Sequence, residues 1–476
     1  SYRWVPIGRQ ISYDTVGEWP MARRRQLIMD RSGKLTASMW SDAIATERGH
    51  SYTANQGKDG IVGSSMMFMQ RSHLCWMVII GVLACAGPAV LAGEYDFEGP
   101  LPRQVLEKYL SRSITMLDLL TGRGDLEDNI RMLGETGAKL AGRTVYCWGH
   151  EEQLPQVLAT ARRNAAKVHA ADPQMILQAA VFEIVSEQVE TLPIPAWVFQ
   201  AFDRPVEQRH FRYEAMLYPS GRGRGQWWPG ASVPDISRPE TQLWFYYLAA
   251  SYIELGCEAI HFGQAEIMDG NDPDHSHWWD LLQRVRRYAA EHARRGWVLC
   301  DAHVPSGGML YKDRLLFDFH SFPLRIVETP EDPRKGVLKM GAFDSIYGRS
   351  QGAIAPSGWR CDHLPYLVEL DNWGVSDQPG QPHAGSCWVW GYDEISWFAH
   401  QDQTYRDKWL RYAWDWVRRH DPNGFLQMPG SRILHAPVNG HGWYYANRRS
   451  EASPHGFGQE NVIREIWADA CRSDCR

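Results

Sequence analysis

The chain has 476 residues, 44% of them hydrophobic and 22% charged, the composition of a globular protein long enough for one large core or two domains. Fifty basic against 56 acidic side chains leave a formal net charge of −6, which speaks against a nucleic-acid binder because no basic field covers the chain. Nine cysteines are too few for a disulfide-built scaffold of this length, whereas 22 tryptophans exceed what a core needs and suit a cleft walled by flat apolar faces.

Residues 74–92 (LCWMVIIGVLACAGPAVLA) carry no charge, follow Arg71 and the methionines Met66, Met67 and Met69, and end in small residues. This is the pattern of a secretory signal peptide over 66–92, cleaved before Gly93. A run of this length nearly spans a bilayer, so a membrane anchor is the competing reading. Residues 1–65, polar and without periodicity, read as a non-native upstream extension. Residues 93–476 read as one catalytic domain with a C-terminal extension, secreted or periplasmic and free of the membrane after cleavage. Cys85, at the end of Val82-Leu83-Ala84-Cys85, resembles the lipidated residue of a lipoprotein. The later cysteines form no CxxC pair and read as core residues, not as zinc ligands.

From about residue 100, short apolar runs alternate with amphipathic stretches. Strands are predicted at 114–119, 140–148, 175–185, 257–266, 297–303, 314–320, 364–371 and 424–428. Helices are predicted at 125–135, 151–171, 240–255, 277–295, 405–420 and around 461–470, with Gly137, Gly256 and Gly296 as stops. In the helix at 277–295, Trp278, Leu281, Leu282, Val285, Tyr288 and Ala289 share one face, with Arg284, Arg286, Arg287 and Arg294 mostly elsewhere. Eight strands with intervening helices predict an α/β fold, a (β/α)8 TIM barrel with long loops at 205–239 and 327–365 inserted at its C-terminal face. An open doubly wound sheet is the alternative. No GxGxxG follows the first strand, and no cofactor is expected.

Barrel chemistry sits at the carboxyl ends of the strands. The predicted ends carry Asp118, Glu183, Gln264, Glu266, Asp301, His303, Asp318, His320, Glu369, Asp371, Asn372 and Trp373. An ionised carboxylate behind a buried run needs a partner or a task, because desolvation is expensive. Glu266 and Glu369 end the fourth and seventh runs. Cleavage of a glycosidic bond uses one carboxylic acid to protonate the leaving oxygen and a second carboxylate to attack the sugar or activate water.

This layout resembles the retaining glycoside hydrolases built on TIM barrels, the clan of cellulases, β-galactosidases and β-glucuronidases, over most of residues 100–430. The resemblance implies Glu266 as acid/base at the end of strand four and Glu369 as nucleophile at the end of strand seven. The chain departs from the clan in having Ala265 where Asn usually precedes the acid/base. An oligo- or polysaccharide substrate is then expected. Asp118, Glu183, Gln264, Asp301, His303, Asp318, His320, Asp371 and Asn372 would bond its hydroxyls, and Trp148, Trp373 and Trp390 would stack on its apolar faces. The run 387–394 reads as a rim, and Trp227-Trp228 as a lid or subsite wall. Trp397, Trp409, Trp414 and Trp416 read as helix packing.

Two other functions remain open. Asp301-x-His303 and Asp318-x-His320 each put two ligand-type residues on one strand face, which suits a metal-dependent hydrolase, with Asp362-His363 and His275-x-His277 as further candidates. A non-catalytic secreted carbohydrate-binding protein would keep the tryptophans without needing the glutamate pair. No HExxH, G-x-S-x-G or phosphate loop is present.

Overall fold

The alternation of apolar runs and amphipathic stretches resolves into parallel strands joined mostly by helices. The computed structural model describes residues 93–474. The upstream extension, the signal peptide and Cys85 lie outside the described residues.

Strands β1 (Ser113–Met116), β2 (Leu140–Cys147), β3 (Ile176–Val181), β4 (Ala259–Gln264) and β5 (Leu299–His303) run parallel and adjacent in that order. A second parallel sheet holds β6 (His320–Pro323), β7 (Tyr366–Glu369) and β8 (Gly424–Leu426). The chain then passes through Gln427 into β9 (Met428–Val438), which pairs in parallel with β1, Ile114 opposite Met428. The other edge of β9 carries the antiparallel β10 (His441–Tyr445). At the far edge, the Asp318 N–H donates to the Cys300 carbonyl at 2.8 Å, and the Cys300 N–H donates to the Asp318 carboxylate at 2.9 Å. The class is therefore mixed α/β with a central parallel sheet.

The crossovers follow local rules. Helix α1 (Leu126–Thr136) begins at Asp125, whose carboxylate accepts the Asp128 N–H, and stops at Gly137 in the left-handed region. Helix α2 (Leu154–Ala171) links β2 to β3, and α3 (Pro239–Glu254) links β3 to β4. Helix α4 (Ser276–His292) buries Trp278, Leu281, Leu282, Val285 and Ala289 as the spacing predicts, leaves Tyr288 half-buried, and also buries Arg286, whose guanidinium binds Asp318. Each of the larger of the buried apolar side chains contributes about 1.5–3 kcal/mol by burial. Helix α5 (Gln403–His420) buries Trp409, Trp414 and Trp416, and Trp397 is also buried in the short helix before it, so these four tryptophans pack as expected. Between β5 and β6, and between β6 and β7, the described residues form β-hairpins where a regular barrel has helices.

Three strand expectations need correction. The sixth strand lies at His320–Pro323, not 314–320, because Arg314–Leu315 pairs with Leu310–Tyr311 in a hairpin and Asp318 is drawn onto Cys300. The third stops at Val181, and Val185–Ser186 pairs separately with Ala231–Ser232. The first stops at Met116, since Asp118 adopts a left-handed φ of 61° and starts a 3-10 turn. A buried apolar run looks the same to periodicity whether it is ladder or coil.

The floor of the strands is apolar. The helix Arg103–Ser111 lays Leu106, Tyr109 and Leu110 against Leu140, Ile176, Ala259, Leu299, Phe319, Leu367 and Phe425. Those seven residues lie within one position of the starts of β2 to β8.

Candidate active site

Side chains two residues apart on a strand share a face. Two residues above the floor positions stand Gly142, Gln178, His261, Asp301, Ser321, Glu369 and Gln427, joined by Thr115 of β1. They converge: a Cβ on Gly142 would strike the side-chain amides of Gln427 and Gln178. A polar layer thus lies directly on an apolar one, and every member needs a partner.

Asp301, fully buried, accepts Gln178 Nε2 at 2.7 Å, Ser321 Oγ at 2.5 Å and His261 Nδ1 at 2.7 Å. A carboxylate on Nδ1 assigns the proton there and leaves His261 Nε2 to accept Arg143 Nη2 at 3.3 Å. The same Nη2 lies 3.4 Å from His303 Nε2. Arg143 Nη1 binds Glu369 Oε1. Glu369 Oε2 accepts Arg432 Nη1 and Thr115 Oγ1, both at 2.9 Å. Arg432 Nη2 continues to Asn372 Oδ1 at 3.0 Å, and Arg325 binds Asp371 at 3.0 Å and Asp344 on its other side.

Burial sets the protonation states. It pushes the Asp301 carboxyl up to about 7 and drives both His261 and His303 well below the usual imidazole range, so the rings are neutral. Burial, with Arg432 adding to it, brings Arg143 down to about 9. Burial also opposes ionisation of Asp371, but Arg325 and Arg432 overcome it and hold that carboxylate below its ordinary value. Glu183, Glu266 and Asp118 are all raised by burial, which outweighs their hydrogen bonds.

The expected residues divide into two groups. Glu369, the last residue of β7, is 2% exposed at the centre of the network. Asp301, His303, Asp371 and Asn372 surround it, and Trp373 lies under the Arg325 guanidinium. Glu183 follows β3 and accepts the Gln264 N–H at 2.8 Å and its Nε2 at 2.7 Å. Gly263 is left-handed there, and a Cβ on it would meet Glu183 Oε2. Asp118 accepts the Tyr146 hydroxyl at 3.1 Å. Trp148 packs edge-on against Phe182 and Trp227. Glu266 sits in the 3-10 turn Ala265–Ile267 after β4, half-buried, and accepts the Ser306 N–H at 3.0 Å. It shares no hydrogen-bond partner with Glu369 among the described residues.

Other expected residues lie elsewhere. Asp318 precedes β6 and His320 begins it, so both sit at the amino end of the strand, opposite the carboxyl end at which Glu369 stands on β7. Asp318 binds Arg286 at 3.0 Å, and His320 contacts Ser350 at 3.2 Å. Trp390 is buried and donates Nε1–H to the Lys335 carbonyl, not to a rim. In the same run Asp393 caps a helix, and Glu394 accepts the backbone N–H groups of Ile326 and Asp371. Trp227 is core, not lid: its Nε1–H donates to the Glu183 carbonyl at 2.9 Å. Trp228 is half-buried beside His150. The indole N–H groups of Trp227 and Trp390 found backbone acceptors, which spacing cannot foresee.

Three arginines escaped the sequence reading. Arg143 reaches inward through a register shift in β2 between Ala141 and Val145, with a left-handed φ of 58°. Arg325 is likewise left-handed, and Arg432 lies within β9. No local signal marks any of them. Among the described residues, no three His, Cys, Asp or Glu side chains are arranged to hold a metal ion, and Cys147, Cys257, Cys300, Cys361 and Cys387 are free thiols. No described helix is long and apolar enough to cross a membrane.

The sequence matches no protein-family model and no curated protein. Among solved structures the chain is similar to the debranching enzyme of Nostoc punctiforme. In its native form the identity is 10%, with 48% of this chain and 53% of that chain covered and a TM-score of 0.27. In its acarbose-soaked form the identity is 9%, the coverage 79% and 82%, and the TM-score 0.35. It is also similar to the α-galactosidase of Thermus thermophilus (13% identity, 50% and 44% covered, TM-score 0.29). The isomalto-dextranase of Arthrobacter globiformis T6 gives 12% identity, 62% and 52% coverage and a TM-score of 0.30. The chain spans about half the length of most of these matches.

Proposed function

We propose that the chain is a glycosidase-type hydrolase whose eight parallel strands close as a (β/α)8 barrel and whose mouth cleaves an oligo- or polysaccharide. Closure is supported by the run of β8 into β9, by the paired bonds between Asp318 and Cys300, and by the floor shared by seven strands. The observation that carries the function is the contrast between two carboxyl groups. Among the described residues, Glu266 is held only by the backbone N–H and hydroxyl of Ser306, neither of them charged, and burial raises its affinity for its proton. Glu369 is bound by two guanidinium groups and a hydroxyl. An acid that keeps its proton and a carboxylate paired with cations are the two parts that glycosidic cleavage requires.

Glu266 then donates its proton to the leaving oxygen while Glu369 attacks the anomeric carbon. The departing aglycone carries that proton away, and water, deprotonated by Glu266, releases the sugar from Glu369. His303, Asp371, Asn372 and Gln264 reach solvent above the buried layer and bond hydroxyls, with Tyr146, Phe182 and Trp373 as apolar walls. A secreted or periplasmic location fits such a substrate.

The test is sugar release from polysaccharides and aryl glycosides by wild type, Glu266→Gln and Glu369→Gln, each checked for folding by circular dichroism. Wild type releases sugar, and each variant loses about 100-fold or more. A folded variant that keeps a tenth of the activity overturns the assignment. The full pairing of Glu369 favours a second reading, a non-catalytic carbohydrate-binding protein, which predicts saturable binding with no release.

A further inference from the structure

Beside the mouth, a cavity of about 230 Å³ opens between the loops that follow β6 and β7. Its walls include Glu328, Lys339, Phe343, His383 and Ser386. It is smaller than the ~300–1,000 Å³ of sites for drug-sized ligands, the scale of a single ring. Four large hydrophobic side chains are exposed among the described residues, and three of them, Val337, Met340 and Phe343, lie at this cavity or in the short stretch leading to it. Phe343 is 42% exposed and holds a left-handed φ of 47°, a conformation an aromatic residue adopts only when its surroundings impose it.

An aromatic track leads there from the mouth. Trp373 follows Asp371 and Asn372. The Trp388 ring lies 5.7 Å from the Trp373 ring, and its Nε1–H donates to the Trp373 carbonyl at 3.2 Å. The His383 ring lies 5.5 Å from Trp388 and lines the cavity. All three rings are half-exposed. The loop is tied to the mouth as well, since Asp344, next to Phe343, shares the Arg325 guanidinium with Asp371. One oxygen of Glu328 accepts the N–H groups of His383 and Trp390, so this acid anchors the loop.

We propose that this cavity is a remote subsite that holds a further ring of a neutral sugar chain whose scissile bond lies in the mouth. The apolar face of that ring stacks on Phe343, its hydroxyls bond Lys339, His383 and Ser386, and the intervening units lie along Trp373 and Trp388. The proposal rests on the glycosidase reading and makes the substrate an extended chain, not a single glycoside.

The experiment uses Phe343→Ala, with Phe343→Trp as the conservative variant, on ladders of malto-, cello- and xylo-oligosaccharides and on aryl glycosides. For the chain type cleaved, Phe343→Ala raises KM about two- to tenfold on the longer members. It leaves aryl glycoside turnover unchanged, and Phe343→Trp restores the length dependence. Equal KM values for wild type and Phe343→Ala along the whole ladder overturn the subsite. If wild type cleaves nothing, the glycosidase reading falls, and the subsite is read by titrating the same ladders against intrinsic tryptophan fluorescence. Affinity that rises with length in wild type but not in Phe343→Ala upholds it. Affinity that is absent or flat with length overturns it.

Discussion

Replacing Glu369 with Gln removes the anion shared by Arg143 and Arg432, whose residues are 6% and 2% exposed. The amide keeps the shape but offers one acceptor where the carboxylate offered two, and turns an N–H2 toward donors. Two charge-assisted hydrogen bonds are lost or weakened, each worth about 1.5–3 kcal/mol. Breaking one partner out of a buried ion pair costs about 3–5 kcal/mol by independent reckoning. Both routes lead to about 3–5 kcal/mol. Arg143, already lowered to about 9 by burial and by Arg432, has no other carboxylate within hydrogen-bonding distance among the described residues. Urea unfolding followed by tryptophan fluorescence measures the loss. Adding Arg432→Met to Glu369→Gln recovers part of it, because one orphaned charge leaves with its partner, and the double-mutant cycle gives a coupling of about 0.5–3 kcal/mol. A Glu369→Gln protein within about 1 kcal/mol of wild type would refute the buried charge arrangement, and the reading of Glu369 as a cation-paired nucleophile with it.

Other consequences are as direct. Asp301 has a native pKa of about 7 against ~3.9 for an unfolded chain, so between these values the native state holds more protons. Stability therefore falls as pH rises through that window and levels above it. Asp301→Asn flattens the fall, and an unchanged slope of urea midpoint against pH counts against the assignment. Trp227→Ala empties a fully packed site and loses the bond to the Glu183 carbonyl, at a cost of about 3–5 kcal/mol in the same assay. A cost below about 1 kcal/mol would put Trp227 back on the surface as a lid. Gly263→Ala places a Cβ on Glu183 Oε2 at a left-handed position and destabilises by about 1–3 kcal/mol. Thermal unfolding at the wild-type temperature would mean that Glu183 is not seated there.

Much of the framework is legible locally. The apolar runs mark eight strands in chain order, with the sixth displaced by a few residues toward the C-terminus. Glu369, Asp371, Asn372 and Trp373 stand out because each follows a run that must be buried. Gln178 and His261 do not, because each lies inside its run and reads as part of it. Asp318 and His320 show the reverse error. Their run resembles a strand, yet the ladder begins at His320, so residues placed at the carboxyl end by pattern stand at the amino end.

Helix starts and stops, strand faces and glycine turns depend on residues a few positions apart, and the chain alone determines them: Asp125 caps, and Gly137, Gly256 and Gly296 stop or turn the chain with positive φ. The site depends on meetings that no local pattern contains. Arg143 and Glu369 are 226 residues apart in sequence. Arg143 reaches Glu369 because a bulge in β2 turns its side chain inward, and Arg432 arrives from the ninth strand to share the same carboxylate. Only the packing of distant strands decides which buried charge finds which partner, since desolvation penalises each of them alone and the tertiary fold supplies the compensation.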